Sequence, residues 1–76
     1  MIKIKNEEVI KAFGKRVKEL RNSQSLSQEE LANAADIPLS QVGRIERGEI
    51  NVTLSTIYAL AKGLEVEFQE LLQFKV

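Results

Sequence analysis

Apolar side chains recur every three or four positions along most of this chain, with charged and polar side chains between them. That spacing places successive apolar side chains on one face of an α-helix. The pattern predicts five helices, without an internal repeat or a low-complexity linker. The expected helices begin after the N-cap candidates Asn6 and Thr53 or span about residues 28–35, 38–47 and 67–73. We therefore expect a single all-α domain over residues 1–76.

Two of these helices should bury long apolar stripes. The expected stripes are Val9, Ile10, Phe13, Val17 and Leu20 in the first helix and Leu54, Ile57, Leu60, Ala61 and Leu64 in the fourth. The chain ends alternate instead between apolar and polar side chains, with Ile2 and Ile4 at one end and Phe74 and Val76 at the other. Such alternation is typical of a strand, so the ends either pair as a small sheet or fray.

The segment between residues 26 and 48 carries the clearest local signals. Ser27 is followed three residues later by Glu30, the spacing of a capping box, which predicts that a helix starts there. Asp36 lies where a sharp turn requires a left-handed backbone, a conformation that Asp tolerates. Gly48 can adopt the same conformation after the next helix. The segment therefore predicts two short helices joined by a tight turn, over about residues 27–47.

This segment resembles the helix-turn-helix of the phage-repressor family, the Cro/cI-like or xenobiotic-response-element regulators. The residues that carry the resemblance are Gln28, Glu30, Leu31, Ala32, Ile37, Val42, Arg44, Ile45, Glu46 and Gly48. Residues 54–72 also resemble the family's last two helices. The resemblance implies a five-helix, lambda-repressor-like domain whose third helix, about residues 38–47, enters the major groove of double-stranded DNA. Asp36 and Pro38 depart from the family's usual turn glycine and Ser or Thr cap.

Helical geometry identifies the side chains that would face a DNA base. If Val42 and Ile45 are buried, the opposite face of the third helix presents Leu39, Ser40, Gly43, Arg44 and Arg47. Arg44 is the best candidate for a base contact, because its guanidinium can match the O6 and N7 acceptors of guanine. The alternatives are an exposed or salt-bridged arginine and, for Leu39, a partly buried contact with a neighbouring helix.

A second group of residues is suited to the DNA backbone. Gln28 resembles the family glutamine that bonds a phosphate at a helix N-terminus, although simple helix capping is the alternative. Arg47, Asn51 and Thr53 lie in or after the turn that leaves the third helix and could donate to phosphates, although turn chemistry alone also favours Asn and Thr. Arg21 and Glu46 differ, because the resemblance implies that they form a structural ion pair.

The composition excludes several other classes of protein. The chain has no Cys and no His, which removes disulfides, thiolate chemistry and the usual zinc ligands. Its carboxylates are scattered and it has no glycine-rich phosphate loop, so we expect neither an enzyme nor a cofactor. No apolar run approaches the roughly 18 residues needed to span a bilayer, and the first residues lack a signal-peptide core. A cytoplasmic location is therefore expected.

Charge and size both favour a homodimer. The formal net charge is zero, with 11 basic and 11 acidic residues, which leaves few cations for phosphates. A single core below roughly 80 residues seldom supplies more than about 3 to 5 kcal/mol, so such domains lean on other supports. Without disulfides or metals, a partner subunit is the expected support. We place the contact at Phe68, Leu72 and Phe74, because the C-terminal third has more apolar side chains than so small a core can cover.

Two functional hypotheses from different classes follow. The first is a dimeric, sequence-specific transcriptional regulator, most often a repressor, that binds a pseudo-palindromic operator. It would act as a phage-type repressor, a restriction-modification controller or an antitoxin. The second is a protein-interaction module, such as the half of a toxin-antitoxin pair that neutralises a toxin protein. Neighbouring genes would discriminate between them.

Overall fold

The computed structural model describes residues 6–76, which form four α-helices and one short 3₁₀-helix. The α-helices are α1 (Glu7–Ser23), α2 (Gln28–Ala35), α3 (Leu39–Glu46) and α4 (Leu54–Leu64), and the 3₁₀-helix spans Phe68–Leu72. Residues 6–76 contain no strand, so the prediction of an all-helical fold is confirmed over that range. The expected pairing of the chain ends involves Ile2 and Ile4, which lie outside the described residues.

The count of five α-helices is not confirmed. The predicted last helix is a five-residue 3₁₀-helix, capped by Glu67 and Glu70. The left-handed backbone of Glu65 ends α4, and the next helical residue is already Phe68. Short segments next to the ends of α-helices often adopt 3₁₀ rather than α-helical hydrogen bonding. It nevertheless buries Leu71 completely.

Three of the predicted helix starts are confirmed by their capping hydrogen bonds. The Asn6 side chain accepts from the backbone N–H of Val9 at 3.1 Å. Ser27 Oγ accepts from Glu30 N–H at 3.0 Å, while Ser27 N–H donates to the Glu30 carboxylate at 2.8 Å. Thr53 caps α4 in the same way. Each bond satisfies an N–H group that the first turn of a helix leaves without a partner.

The turn between α2 and α3 fixes the angle between the two helices. Asp36 has the predicted left-handed backbone, with φ 58° and ψ 47°, and ends α2. Pro38 has an extended backbone and is the N-cap of α3. The helix therefore begins at Leu39, one residue later than predicted, because Pro38 supplies the fixed φ without entering the helix.

The core lies between α2 and the helices packed around it. α2 packs against α4 and α3, while α1 packs against α3 and the 3₁₀-helix. The fully buried large side chains are Val17, Leu31, Val42, Ile45, Leu60, Leu64 and Leu71. The expected stripes are buried except at their edges. Val9 and Leu54 are exposed, and Leu54 lies in the first turn of α4 at the margin of its stripe.

None of the helices within residues 6–76 has the length and apolar composition needed to cross a bilayer.

Candidate nucleic-acid interface

α3 has one buried face and one exposed face. Val42 and Ile45 are buried in the core, whereas Leu39, Ser40 and Arg44 are exposed. Arg47, which follows the last residue of α3, is also exposed. The side chains of Arg44 and Arg47 are 57% and 60% accessible, respectively. Polar, apolar and cationic side chains therefore share one accessible surface of a short helix.

Gly43 was expected on the exposed face of the third helix, but it is not open to solvent. It is buried, and a Cβ built on it would lie 3.0 Å from Arg47 Nη1 and 3.7 Å from Gln28 Oε1. Residues four apart share a helix face, so the long Arg47 side chain folds back over the glycine. A contact between Gly43 and a base would require the Arg47 and Gln28 side chains to move aside.

A buried charge network fixes the end of α3 to α1. Arg21 Nε donates to Glu46 Oε2 at 2.6 Å, and Arg21 Nη2 donates to Glu46 Oε1 at 3.0 Å. Arg21 Nη1 also donates to the Leu26 carbonyl at 2.7 Å. The two charged side chains are only 11% and 3% exposed. The hydrogen bond to Glu46 raises the pKa of the Arg21 guanidinium.

Gln28 connects the first turn of α2 to the same carboxylate. Its Nε2 donates to Glu46 Oε1 at 3.0 Å, so it neither caps its own helix nor extends freely into solvent. A carboxamide carries two N–H donors. One of the two is therefore committed to Glu46.

The close approach of α1 to α3 requires Gly14, which was not predicted as a site residue from the sequence. A Cβ on Gly14 would overlap the carbonyl oxygen of Ile45 and lie 3.0 Å from that of Glu46. Both atoms belong to the backbone of α3. Gly14 and the Arg21 network together hold α3 against α1. In the sequence, Gly14 could have been noticed only as a glycine between two positions of the apolar stripe.

Asn51 and Thr53 lie in the segment that joins α3 to α4, and both are exposed. Thr53 Oγ1 accepts from Thr56 N–H at 3.2 Å, so this hydroxyl caps α4. Its oxygen also lies 3.1 Å from Thr56 Oγ1.

Glu49 lies between the two exposed arginines, and it was not predicted as a site residue from the sequence. Arg47 Nε donates to Glu49 Oε2 at 2.7 Å, and Arg44 Nε lies 3.7 Å from Glu49 Oε1. The hydrogen bond from Arg47 holds the pKa of the Glu49 carboxyl below its usual range. Its position two residues beyond the last helical cap, next to Gly48, was the signal that could have found it.

The expected dimer residues differ in exposure. Phe68 and Phe74 are half-buried against the core, and the Phe74 ring packs edge-on against Phe13 with centroids 6.5 Å apart. Leu72 is 42% exposed. Leu54 and Tyr58, one turn apart on α4, are exposed as well.

Comparison with known proteins gives one family and several relatives. The helix-turn-helix family HTH_3 matches residues 17–71. Control protein C.SmaI of Serratia marcescens is 45% identical over 56 residues, which cover 74% of this chain and 67% of that protein. Control protein C.BamHI of Bacillus amyloliquefaciens is 41% identical over 63 residues, which cover 82% and 78%. The restriction-modification controller protein C.AhdI from Aeromonas hydrophila, known from a crystal structure, is 44% identical in sequence to this chain. The two structures superpose with a TM-score of 0.80 over 87% of this chain and 98% of that chain.

Proposed function

Because this chain belongs to the helix-turn-helix family HTH_3 of DNA-binding transcription regulators, we propose that it binds a pseudo-palindromic operator as a homodimer and represses transcription there. The observation that carries the proposal is the exposed surface of α3, where Leu39, Ser40 and Arg44 lie opposite a fully buried face. A helix of this width fits the major groove of B-DNA. Two such helices from a two-fold dimer would read two symmetric half-sites.

The regulatory context that we propose is control of a restriction-modification system. Three relatives support it, since C.SmaI and C.BamHI are control proteins and C.AhdI is a restriction-modification controller. These relatives favour a controller over a toxin-binding module. Methyltransferase and nuclease genes beside the gene for this chain would support the proposal, whereas an adjacent toxin gene would favour the module.

Within the proposed complex, base contacts come from the exposed residues of α3. Arg44 donates to guanine O6 and N7, Ser40 donates to a base or a phosphate, and Leu39 contacts a thymine methyl group. The Gly43 backbone lies between them and approaches the groove only if the Arg47 side chain moves.

Phosphate contacts come from residues on either side of α3. Gln28 uses its second amide hydrogen at the N-terminus of α2, where free backbone N–H groups also favour an anion. Arg47, Asn51 and Thr53 donate from the C-terminal side. Such contacts fix the register of the protein on the duplex without reading its sequence.

Replacing Arg44 by Ala should relax sequence preference at one base pair in each half-site. A bidentate contact to guanine is worth roughly 1 to 3 kcal/mol of discrimination, and its loss should be confined to that position. Binding is measured against a panel of operators that each carry one base change, with the operator taken from sequences that the purified protein selects. Arg44→Lys should recover only part of the preference, because an ammonium cannot bond both acceptors in the same plane.

Lys62→Ala is the matched control for that experiment, since it removes one exposed positive charge outside α2 and α3. It should leave the preference at every base pair unchanged. A uniform loss of affinity across the panel for Arg44→Ala would assign Arg44 to the DNA backbone and leave Ser40 and Leu39 as the residues that read bases.

The homodimer should form through the C-terminal third of the chain, where Leu72 remains exposed beside the half-buried Phe68 and Phe74. Sedimentation at micromolar concentration should give a dimer, and Leu72→Glu should give a folded monomer, because burying a carboxylate against a partner is costly. Leu72 gives a cleaner test than Phe68, since Phe68 also supports the core. Leu39→Glu is the control and should remain dimeric. A monomeric unaltered protein, or a dimeric Leu72→Glu variant, would remove the interface from this surface.

A further inference from the structure

The backbone after α3 places Glu49 directly beside Arg44. Gly48 has a left-handed backbone with φ 74°, and its N–H donates to the Ile45 carbonyl at 3.0 Å. Glu49 N–H donates to the Arg44 carbonyl at 2.9 Å. These two bonds form a Schellman motif, in which the residue after the glycine lies against the helical residue five positions earlier. An apolar contact often joins these two positions, but here they hold an arginine and a carboxylate.

The carboxylate approaches both arginines at the same kind of nitrogen. Arg47 Nε donates to it at 2.7 Å, and Arg44 Nε lies 3.7 Å from its other oxygen. The first distance is a hydrogen bond and the second is a looser ion pair. Nε is the inner nitrogen of a guanidinium, so a partner there leaves the terminal nitrogens unoccupied by that partner. The four terminal N–H donors of Arg44 remain available for an acceptor.

We propose that Glu49 is a specificity-determining residue that orients Arg44 and Arg47 through their Nε groups and cancels one positive charge at the DNA surface. The proposal rests on the proposed function, because it concerns how the same surface discriminates between DNA sequences. Arg44 meets a guanine with its terminal nitrogens while Nε stays beside Glu49. The specific complex therefore keeps the arrangement that the free protein already has.

The affinity for random DNA gains much less from the position of Glu49 beside Arg44 and Arg47. Two arginines and one glutamate leave a single net positive charge on this part of the surface. Non-specific binding depends almost entirely on cations that neutralise phosphates and release counterions. A phosphate that takes Arg47 from Glu49 only exchanges one anionic partner for another. Glu49 thus lowers affinity for all DNA by charge, and it restores affinity for the operator by positioning Arg44.

Glu49→Gln tests the charge contribution. Affinities for the selected operator and for a random duplex are measured by titration at several salt concentrations, with the melting temperature as a check that the variant folds. We expect the salt slope on random DNA to steepen by about 0.9 per subunit, which is about an eightfold gain in affinity for each tenfold dilution of salt. The operator should gain less than the random duplex, so the ratio of the two affinities should fall.

Two further variants separate charge from position. Glu49→Asp keeps the charge but is one methylene too short to reach the Arg47 Nε from the same backbone, so it should keep the original salt slope and lose operator affinity. Glu19→Gln removes an exposed carboxylate from α1, on the side of that helix away from Gly14 and Arg21, and should leave both affinities unchanged.

An unchanged salt slope and affinity ratio in Glu49→Gln would overturn the proposal, as would an equal change in Glu19→Gln. If the unaltered protein fails to prefer any operator over random DNA, the proposed function itself fails, and that outcome is seen before any variant is compared.

Discussion

Replacing Arg21 by Ala is expected to lower the free energy of unfolding by about 3 to 5 kcal/mol, the usual cost of leaving one member of a buried ion pair alone. The Glu46 side chain is only 3% exposed, so its carboxylate would lose its charged partner in a largely buried site. The Leu26 carbonyl loses its donor in the same step. Because each kcal/mol shifts the melting temperature of a domain this size by roughly 4 to 8 °C, the melting temperature of the variant should fall by roughly 12 to 40 °C.

Lys18→Ala is the matched control, because Lys18 lies on the same helix but is exposed, and an exposed charge is worth under about 1 kcal/mol. Thermal and urea unfolding of both variants gives the comparison. Adding Glu46→Gln to Arg21→Ala should recover part of the lost stability, since the amide removes the uncompensated charge. Equal melting temperatures for Arg21→Ala and Lys18→Ala would show that the ion pair contributes no more than a surface contact.

Gly14→Ala should be the second largest loss, although alanine favours helices. The new methyl group would overlap the Ile45 carbonyl oxygen, and a backbone atom in the core cannot turn aside as a flexible side chain can. Overpacking of this kind typically costs about 1 to 3 kcal/mol or more, which exceeds the roughly 1 kcal/mol that alanine gains over glycine in a helix. Separation of α1 from α3 should also reduce operator affinity.

Gly43→Ala is the control that measures the effect of helix propensity alone on stability. The atom nearest to its new methyl group is Nη1 at the flexible end of Arg47, which can move. The free energy of unfolding should therefore be unchanged or raised by up to about 1 kcal/mol. If urea unfolding found Gly14→Ala as stable as Gly43→Ala, the close crossing of α1 and α3 would be wrong.

The features that the sequence predicted well depend on residues close together along the chain. The Ser27–Glu30 capping box and the left-handed Asp36 and Gly48 each involve a few neighbouring residues. Their chemistry is nearly independent of the rest of the fold, so spacing alone is sufficient. Pro38 shows the limit of that argument, because a proline suits both the N-cap and the first helical position, and only the structure decides between them.

The missed features involve side chains with a choice of partner. Gln28 could bond a phosphate, its own helix or Glu46, and the choice depends on a residue 18 positions away. Arg47 could extend into the groove, yet it lies over Gly43 and bonds Glu49. Sequence periodicity predicts which face a residue occupies but not which way a long side chain lies on that face. Glu49 was missed because it lies beyond the end of α3, where helical periodicity no longer applies.

In the proposed function, α3 reads the sequence of a two-fold operator. The most direct test is to sequence the fragments that the purified, full-length protein selects from a random pool of duplexes. We expect a symmetric consensus with half-sites about one helical turn, or about 34 Å, apart. A pool selected by Arg44→Ala should lose one base pair of that consensus in each half. A pool without an enriched sequence, or with an enriched sequence that lacks two-fold symmetry, would contradict the proposed function.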